Sequence, residues 1–371
     1  MYVPSTSSST GERRSSSSHI DIAAQRAGMV RLGTTSETTS GSLSRSSSDE
    51  GDPVLRRLFR RLEGEFSRAE PRRHAYAYVC SLLSEPMRGT SGGEDGRNRM
   101  LTTARWDENR VRDRVRDLVV EYMGGPEAVL VITEEGFQKK GDQSAGVAWQ
   151  HCFSTGRVDN CQIGLFLLHV DSMGTVSAID RELLIPPSWS EDSVRSARAG
   201  VPWEAQLRTR DELALAMVER ALDVRVQTKW VVADSFYCGD SALLREALER
   251  RRIPYVLASS ERGEAATQTS EQEGFAWWRF GRWGGGSYRC FAPVHTNPEE
   301  LASAAEKGAV SARYFASARN DAGMDRYSVR RWRGWYRHMT LSMFAHACLL
   351  VSRPPGSFNS LWPNVGPGPT V

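Results

Sequence analysis

Two apolar segments, each followed at once by acidic side chains, set the framework for this chain. They are AVLVITEEGFQKKG at residues 128–141 and KWVVADSFYCGD at residues 229–240. A short continuous apolar run is typical of a strand covered on both faces. The acids that follow are Glu134 and Glu135 in the first segment and Asp234 in the second. Open α/β sheets carry their sites at the carboxyl ends of strands, so these carboxylates are expected to lie together, although spacing alone fits loop or capping acids equally well.

The rest of the pattern predicts an α/β fold. Thr209 and Glu212 form a capping box that opens a helix. Three early strands followed by alternating helix and strand predict a mixed sheet flanked by helices. The further strand patterns lie at residues 164–170, 175–185, 230–233, 254–258, 277–283 and 288–293. Residues 261–274 are predicted as a loop, and residues 299–352 as helical.

Composition divides the chain into four parts. Residues 1–50 contain fifteen serines and almost no periodic apolar positions. They cannot bury enough surface to offset their ordering entropy, so we expect disorder. Residues 51–124 have helical spacing and an arginine-bearing surface, residues 125–353 form the core, and residues 354–371 are a flexible Pro/Gly-rich tail.

Charge and cysteine content limit the classes of partner. The formal net charge of +3 is too small to predict a nucleic-acid partner by itself, so local basic clusters must carry that argument. The six cysteines show no C-x-x-C spacing, which favours reduced thiols over a disulfide framework or a zinc site. No apolar run reaches the length of a membrane span. We expect a cytoplasmic, nucleoid-associated protein with no membrane partner and no small-molecule cofactor.

Basic residues cluster in two places. Lys139 and Lys140 follow the first acidic segment, where they are suited to phosphate contacts or to an ordinary surface turn. A second cluster interleaves cations with Trp332 and Trp335. It predicts either a phosphate-tracking face with stacking groups or an amphipathic helix with core tryptophans. We expect a mixture, with the arginines available to DNA; they are Arg330, Arg331, Arg333 and Arg337.

The acids predict metal chemistry. Two divalent cations close together activate a nucleophile and stabilise the leaving oxygen of a phosphodiester. Such cations prefer carboxylate oxygens. Asp234 is the candidate metal ligand and catalytic acid, and Glu134 is the second candidate; Mg²⁺ or Mn²⁺ is the expected cofactor if the site is active, and none otherwise.

Several segments together resemble DDE-superfamily insertion-sequence transposases. They include VITEEGFQKKG, SAGVAWQHCFSTGRVDNCQIGLFL, IPPSW, WVVADSFYCGD and YSVRRWRGWYRHMTLSM, and the similarity runs over residues 56–353. The resemblance implies an RNase H-like core, an N-terminal helical region that contacts DNA, and a β-rich insertion that is shortened here to residues 261–293.

The family's catalytic positions are altered in this sequence. Asp234 matches the second acid, but Thr133 stands where the family has its first Asp, and Glu134 follows it. Ala312 and Arg313 occupy the two Glu positions of the third motif. An arginine there cannot ligate a cation. The resemblance therefore implies a transposase-like DNA-binding protein with lost or impaired nuclease and strand-transfer activity.

Two alternatives stay open. One is an active transposase in which Glu134, Asp234 and a nearby acid, Asp321 or Asp325, rebuild the triad. The other is a scaffold that binds no DNA. DNA is the expected partner, and a homodimer is the assembly that the resemblance leaves open.

Overall fold

A computed structural model describes residues 52–84, 99–152, 155–234, 241–259, 266–281 and 287–352, which all belong to one compact unit, Glu50–Val371. The segments predicted to be disordered or flexible, 1–50 and 354–371, lie outside the described residues, as does the end of the second acidic segment at residues 235–240.

Helices open the described chain. They are α1 (Pro53–Phe59), α2 (Ala69–Leu83) and α3 (Glu108–Met123), with a 3-10 helix at Glu63–Glu65 and a helical turn at residues 99–102. The Asp52 carboxylate accepts a hydrogen bond from the Val54 amide, and a proline occupies the first helical position, where its missing N–H costs nothing. Asp107 caps α3 in the same way.

The centre of the fold is a nine-stranded mixed sheet. Its strands are β1 (Val129–Gln138), β2 (Ala148–Cys152), β3 (Arg157–Val170), β4 (Val176–Leu183), β5 (Trp230–Ala233), β6 (Tyr255–Ser259), β7 (Thr267–Gln272), β8 (Phe275–Gly281) and β9 (Ser287–Pro293). The order across the sheet is β2, β3, β1, β5, β6, β9, β8, β7, and β4 pairs with β3.

Only β1, β5 and β6 run parallel to one another; the other described pairs are antiparallel. The central order β4, β3, β1, β5, β6 with this pattern of directions is the RNase H-like arrangement. The predicted fold class, a mixed sheet flanked by helices, is therefore confirmed.

Further helices connect and cover the strands. They are α4 (Ser193–Ala199), α5 (Trp203–Gln206), α6 (Arg210–Asp223), α7 (Ala242–Arg250), α8 (Pro298–Glu306), α9 (Val310–Ala322) and α10 (Trp332–Ser352), with 3-10 helices at Pro187–Trp189 and Lys307–Ala309. The predicted capping box is present: the Thr209 hydroxyl accepts from the Glu212 amide, and the Glu212 carboxylate accepts from the Thr209 amide.

The helix α10 is the centre of the hydrophobic core. Residues 334–348 are all buried, and the helix contacts α1, α2, α3, α9 and β4. Trp335 is fully buried, so this tryptophan belongs to the core. The N-terminal helices and the sheet therefore share one core. Within the described part of the chain, no helix is long and apolar enough to cross a membrane.

The structure corrects the predicted strands in three places. Glu134 and Glu135 do not follow the first strand but lie inside β1, which continues to Gln138. The strand β2 is absent from the prediction because it is short and its exposure alternates. The predicted loop at 261–274 contains β7, a strand of six exposed side chains that is held by its pairing with β8.

Candidate functional site

Asp234 lies directly after β5, beside the middle of β1. Its amide donates to the carbonyl oxygen of Ile132 at 3.2 Å, which places it level with the predicted first acid position. The residue is buried beneath the 3-10 helix Lys307–Ala309, where a Cβ added at Gly308 would come within 3.2 Å of the Asp234 Cβ. A side chain at position 308 would therefore crowd the turn that covers this carboxylate.

Glu134 is the neighbouring acid on β1; alternation directs its side chain to the face opposite Thr133, and it is enclosed more completely. It is 1% exposed, and neither carboxyl oxygen has a hydrogen-bond partner in the described structure. The Nε of Arg210, at the start of α6, lies 3.2 Å from Glu134 Oε2 without hydrogen-bonding geometry. Burial raises the pKa of Glu134 to about 8; the Arg210 charge opposes this shift and the Asp234 charge adds to it. Glu134 is therefore mainly protonated at pH 7.

The contact between Arg210 and Glu134 was not predicted from the sequence. Arg210 lies inside the capping box, and nothing in that motif indicates a contact with a buried acid. The far part of α6 is held by a buried ion cluster in which the Asp180 carboxylate accepts from Arg112 at 2.7 Å and from Arg220 at 2.8 Å. Arg220 also donates to Glu182 at 2.6 Å. These contacts fix the far part of α6 against α3 and β4.

Thr133 and Glu135 project from the opposite face of β1, because side chains alternate along a strand. Thr133 is fully buried, and its hydroxyl has no hydrogen-bond partner in the described structure. Glu135 accepts a hydrogen bond from Arg319 of α9, which also donates to the Gly136 carbonyl at 3.2 Å. The acid at 135 is thus paired with a cation of the protein.

One face of α9 is directed toward the acids. Positions 308, 312, 315 and 319 recur at helical spacing. Gly308 packs on Asp234, Phe315 packs against Phe166 of β3, and Arg319 pairs with the acid at 135. Ala312 lies between Gly308 and Phe315 on this face, and its side chain is only a methyl group. The place of the family's third acid is therefore near the site but has no oxygen.

Arg313 is directed away from the acids. Its Nη2 donates at 2.8 Å to the carbonyl oxygen of Gly174, in the turn between β3 and β4. The positive charge of Arg313, which the sequence placed beside the acids, is therefore held at the turn between β3 and β4.

The residues present do not fit a two-cation site. On the face covered by α9, the donor set is one buried aspartate and an uncharged threonine hydroxyl, whereas Glu134 and Arg210 lie on the other face of β1. In the described part of the chain, no group of three or more His, Cys, Asp or Glu side chains could hold a metal ion. Asp321 accepts from Ser317 at 2.8 Å, and Asp325 lies near Lys139. Among the described residues, neither acid belongs to a group of three such side chains that could hold a metal ion.

Three of the predicted DNA contacts meet at one cavity of about 220 Å³. Lys139, Lys140 and Arg330 line it together with the Tyr327 ring. The Lys139 Nζ lies 3.3 Å from the centroid of that ring, and burial lowers the Lys139 pKa to about 8, against a smaller opposing effect of Asp325. Lys140 and Arg330 are exposed.

The other predicted DNA contacts divide by burial. Arg331 is exposed. Arg333 donates to Glu108 at 3.0 Å and to the Trp106 carbonyl at 3.1 Å. Arg337 is fully buried and donates to Glu108 and to backbone carbonyls, the shortest being that of Ala104 at 2.7 Å. The prediction for Arg337 is therefore corrected, because its guanidinium is enclosed and its donors are used inside the core.

Comparisons with known proteins find a family model, a curated relative and solved structures to which this chain is similar. The model of one protein family, described as DDE superfamily endonuclease, matches residues 61–305. The probable transposase for insertion sequence element IS701 from Microchaete diplosiphon is 24% identical over 165 residues, which is 44% of this chain and 40% of that protein. A cryo-EM structure of the piggyBac transposase synaptic complex with hairpin DNA matches with a TM-score of 0.41 and 11% identity over 80% of this chain and 71% of that one.

Proposed function

The chain belongs to the DDE superfamily endonuclease family, and from this premise we propose that it is a transposase-derived DNA-binding protein that has lost DNA cleavage and strand transfer. The observation that carries the proposal is that the positions facing Asp234 supply no carboxylate: Thr133 stands level with it on β1, and Ala312 lies on the face of α9 directed toward it. Divalent cations would require carboxylates at these places.

The charge at the site supports the loss of chemistry. Divalent cations in such a site supply the activated nucleophile and stabilise the leaving oxygen. Thr133 and Ala312 contribute no charge, so Asp234 is the single acid left at the three family positions. One acid leaves little attraction for two divalent cations, and the barrier to phosphodiester cleavage depends largely on such electrostatic stabilisation.

The basic cavity supports retained DNA contact. Lys140 and Arg330 are exposed side chains at its rim, and neither has an ion pair with a described residue. Arg331 extends the same exposed segment. Cations of this kind neutralise backbone phosphates and release counterions, which makes binding salt-dependent. A protein with this surface and no cleavage could occupy the ends of related elements and repress them.

A cleavage assay tests the loss of activity. Full-length protein is incubated with Mg²⁺ or Mn²⁺ and a supercoiled plasmid that carries the DNA flanking its own coding sequence. We expect no nicked or linear product, with an active DDE transposase on its own end DNA as the positive control. Nicking that disappears in Asp234→Ala would instead establish the alternative of an active, rearranged triad.

A binding assay tests the retained DNA contact. Fluorescence anisotropy with a labelled duplex from the same flanking DNA is measured over a series of salt concentrations. We expect affinity to fall steeply with salt. Absence of binding at the lowest salt concentration would favour the scaffold that binds no DNA.

A further inference from the structure

An exposed apolar pair lies on the ribbon formed by β2 and the start of β3. Trp149 is 75% exposed and Val158 is 59% exposed. Trp149 is paired across the strands with Asn160, and Val158 with His151. Alternation along each strand places all four side chains on one face, with the two apolar ones as diagonal neighbours. Among the described strands, β2 pairs only with β3, so it forms an edge of the sheet.

The ribbon is joined directly to the basic cavity. The Lys139 amide donates to the Asn160 carbonyl at 2.8 Å. The Asn160 side-chain amide donates to the carbonyls of Lys139 and Gly141 at 2.8 and 3.0 Å. Trp149 therefore stands two strands away from the lysine, about 10 Å at the usual strand spacing. The indole and the cations of the cavity belong to one continuous surface.

The chemistry of this surface favours a nucleic acid. None of the four side chains on the exposed face of the ribbon is a carboxylate, and the neighbouring Asp159 lies on the other face, where it accepts from Gln138 and Arg157. A flat aromatic group beside exposed cations is the arrangement by which proteins hold unpaired nucleotides: cations follow the phosphates and the ring stacks on a base. The base faces of an intact duplex are already stacked, so only an unpaired base offers a free face.

We propose that Trp149 stacks on an unpaired base of DNA whose phosphates lie on Lys140 and Arg330. This inference rests on the proposed DNA binding and extends it to a structural preference. The protein should bind DNA that contains a single-stranded loop or end more tightly than the fully paired form of the same sequence.

The test compares two labelled DNA molecules of the same sequence, one fully paired and one with a short central loop of unpaired thymines. Anisotropy gives the affinity of the full chain for each. Trp149→Ala should lower affinity for the looped DNA by roughly 5- to 150-fold, the range for loss of one base–aromatic stack, and leave the paired duplex nearly unchanged. Trp149→Phe should retain most of the preference. Trp203→Ala, which removes a 61% exposed tryptophan on α5, is the matched control and should change neither affinity.

Any result other than the expected loss of preference in Trp149→Ala overturns the inference. If the wild-type protein binds both DNA molecules equally, or if Trp149→Ala keeps the preference, the stacking role is wrong while the proposed DNA binding stands. If the wild-type protein binds neither molecule, the proposed function fails as well. If Trp149→Ala instead lowers the mass measured by light scattering and leaves DNA affinity intact, this face is an interface between copies of the chain.

Discussion

Replacing Glu134 with glutamine removes a titratable group that is buried inside β1. The wild-type carboxyl has a pKa raised from 4.5 to about 8 by burial. A raised folded-state pKa contributes stability that is present below the unfolded pKa and is lost as pH rises through the folded value. The wild-type protein should therefore lose stability relative to Glu134→Gln as pH increases from 5 to 9.

The size of this difference follows from linkage. One pKa unit corresponds to about 1.4 kcal/mol. Between pH 6 and the folded-state pKa, a span of about two pH units, the carboxyl keeps its proton in the folded state but not in the unfolded state. The unfolding free energy of the wild type should fall by about 3 kcal/mol relative to the variant over this range. Lys139 titrates in the same range with the opposite sign, since its pKa is lowered to about 8, but it is present in both proteins and cancels.

Urea unfolding at several pH values, followed by tryptophan fluorescence and far-UV circular dichroism, measures the difference. Coincident transitions by the two probes establish that one free energy is being compared. Glu204→Gln, which alters an exposed carboxylate on α5, is the control for a Glu-to-Gln change outside the core. A constant offset between Glu134→Gln and wild type would mean that Glu134 is ionised throughout. In that case the argument that burial raises its pKa would fail.

The remaining predictions concern the basic surface, the core and the lost donors. Lys140→Ala and Arg330→Ala should each lower the slope of log affinity against log salt by about one, measured by anisotropy, because each removes one phosphate contact; an unchanged slope would contradict their role. Arg337→Ala should lower the free energy of unfolding measured in urea by about 3–5 kcal/mol, because Glu108 and the Ala104 carbonyl lose the buried guanidinium that donates to them. A loss of DNA affinity with full stability would show that the residue contacts DNA after all. The double variant Thr133→Asp with Ala312→Glu should gain a rise in melting temperature on addition of Mn²⁺ that the wild type lacks, since it supplies two carboxylates; a rise in the wild type that requires Asp234 would refute the proposed loss of the site.

The strands and the fold class could be predicted because local signals agree with the tertiary structure. The apolar runs before Thr133 and Asp234 form β1 and β5, and the capping box at Thr209 opens α6. These features depend on periodicity and backbone hydrogen bonding within a few residues. The two segments also lie side by side, with the Asp234 amide bonded to Ile132 of β1, as the strand pattern predicts.

Other features depend on partners far away in sequence. β1 continues through Glu134 and Glu135 because it pairs with β3 along its whole length, from Val129 to Gln138, and no local pattern encodes that pairing. Arg330 and Arg337 look alike in sequence, yet one is exposed and the other is enclosed. Single-residue chemistry cannot distinguish them, because the difference arises from the packing of α10.

The central position of α10 has a consequence for how the protein is made. The helices α1, α2 and α3 pack on a segment that the ribosome synthesises more than two hundred residues later, as the 2.6 Å contact between Tyr78 and His338, 260 residues apart, illustrates. Their apolar faces have no complete docking surface while translation is in progress. A nascent chain that stalls before residue 332 would display these faces to chaperones and proteases, so quality control should remove unfinished copies rapidly.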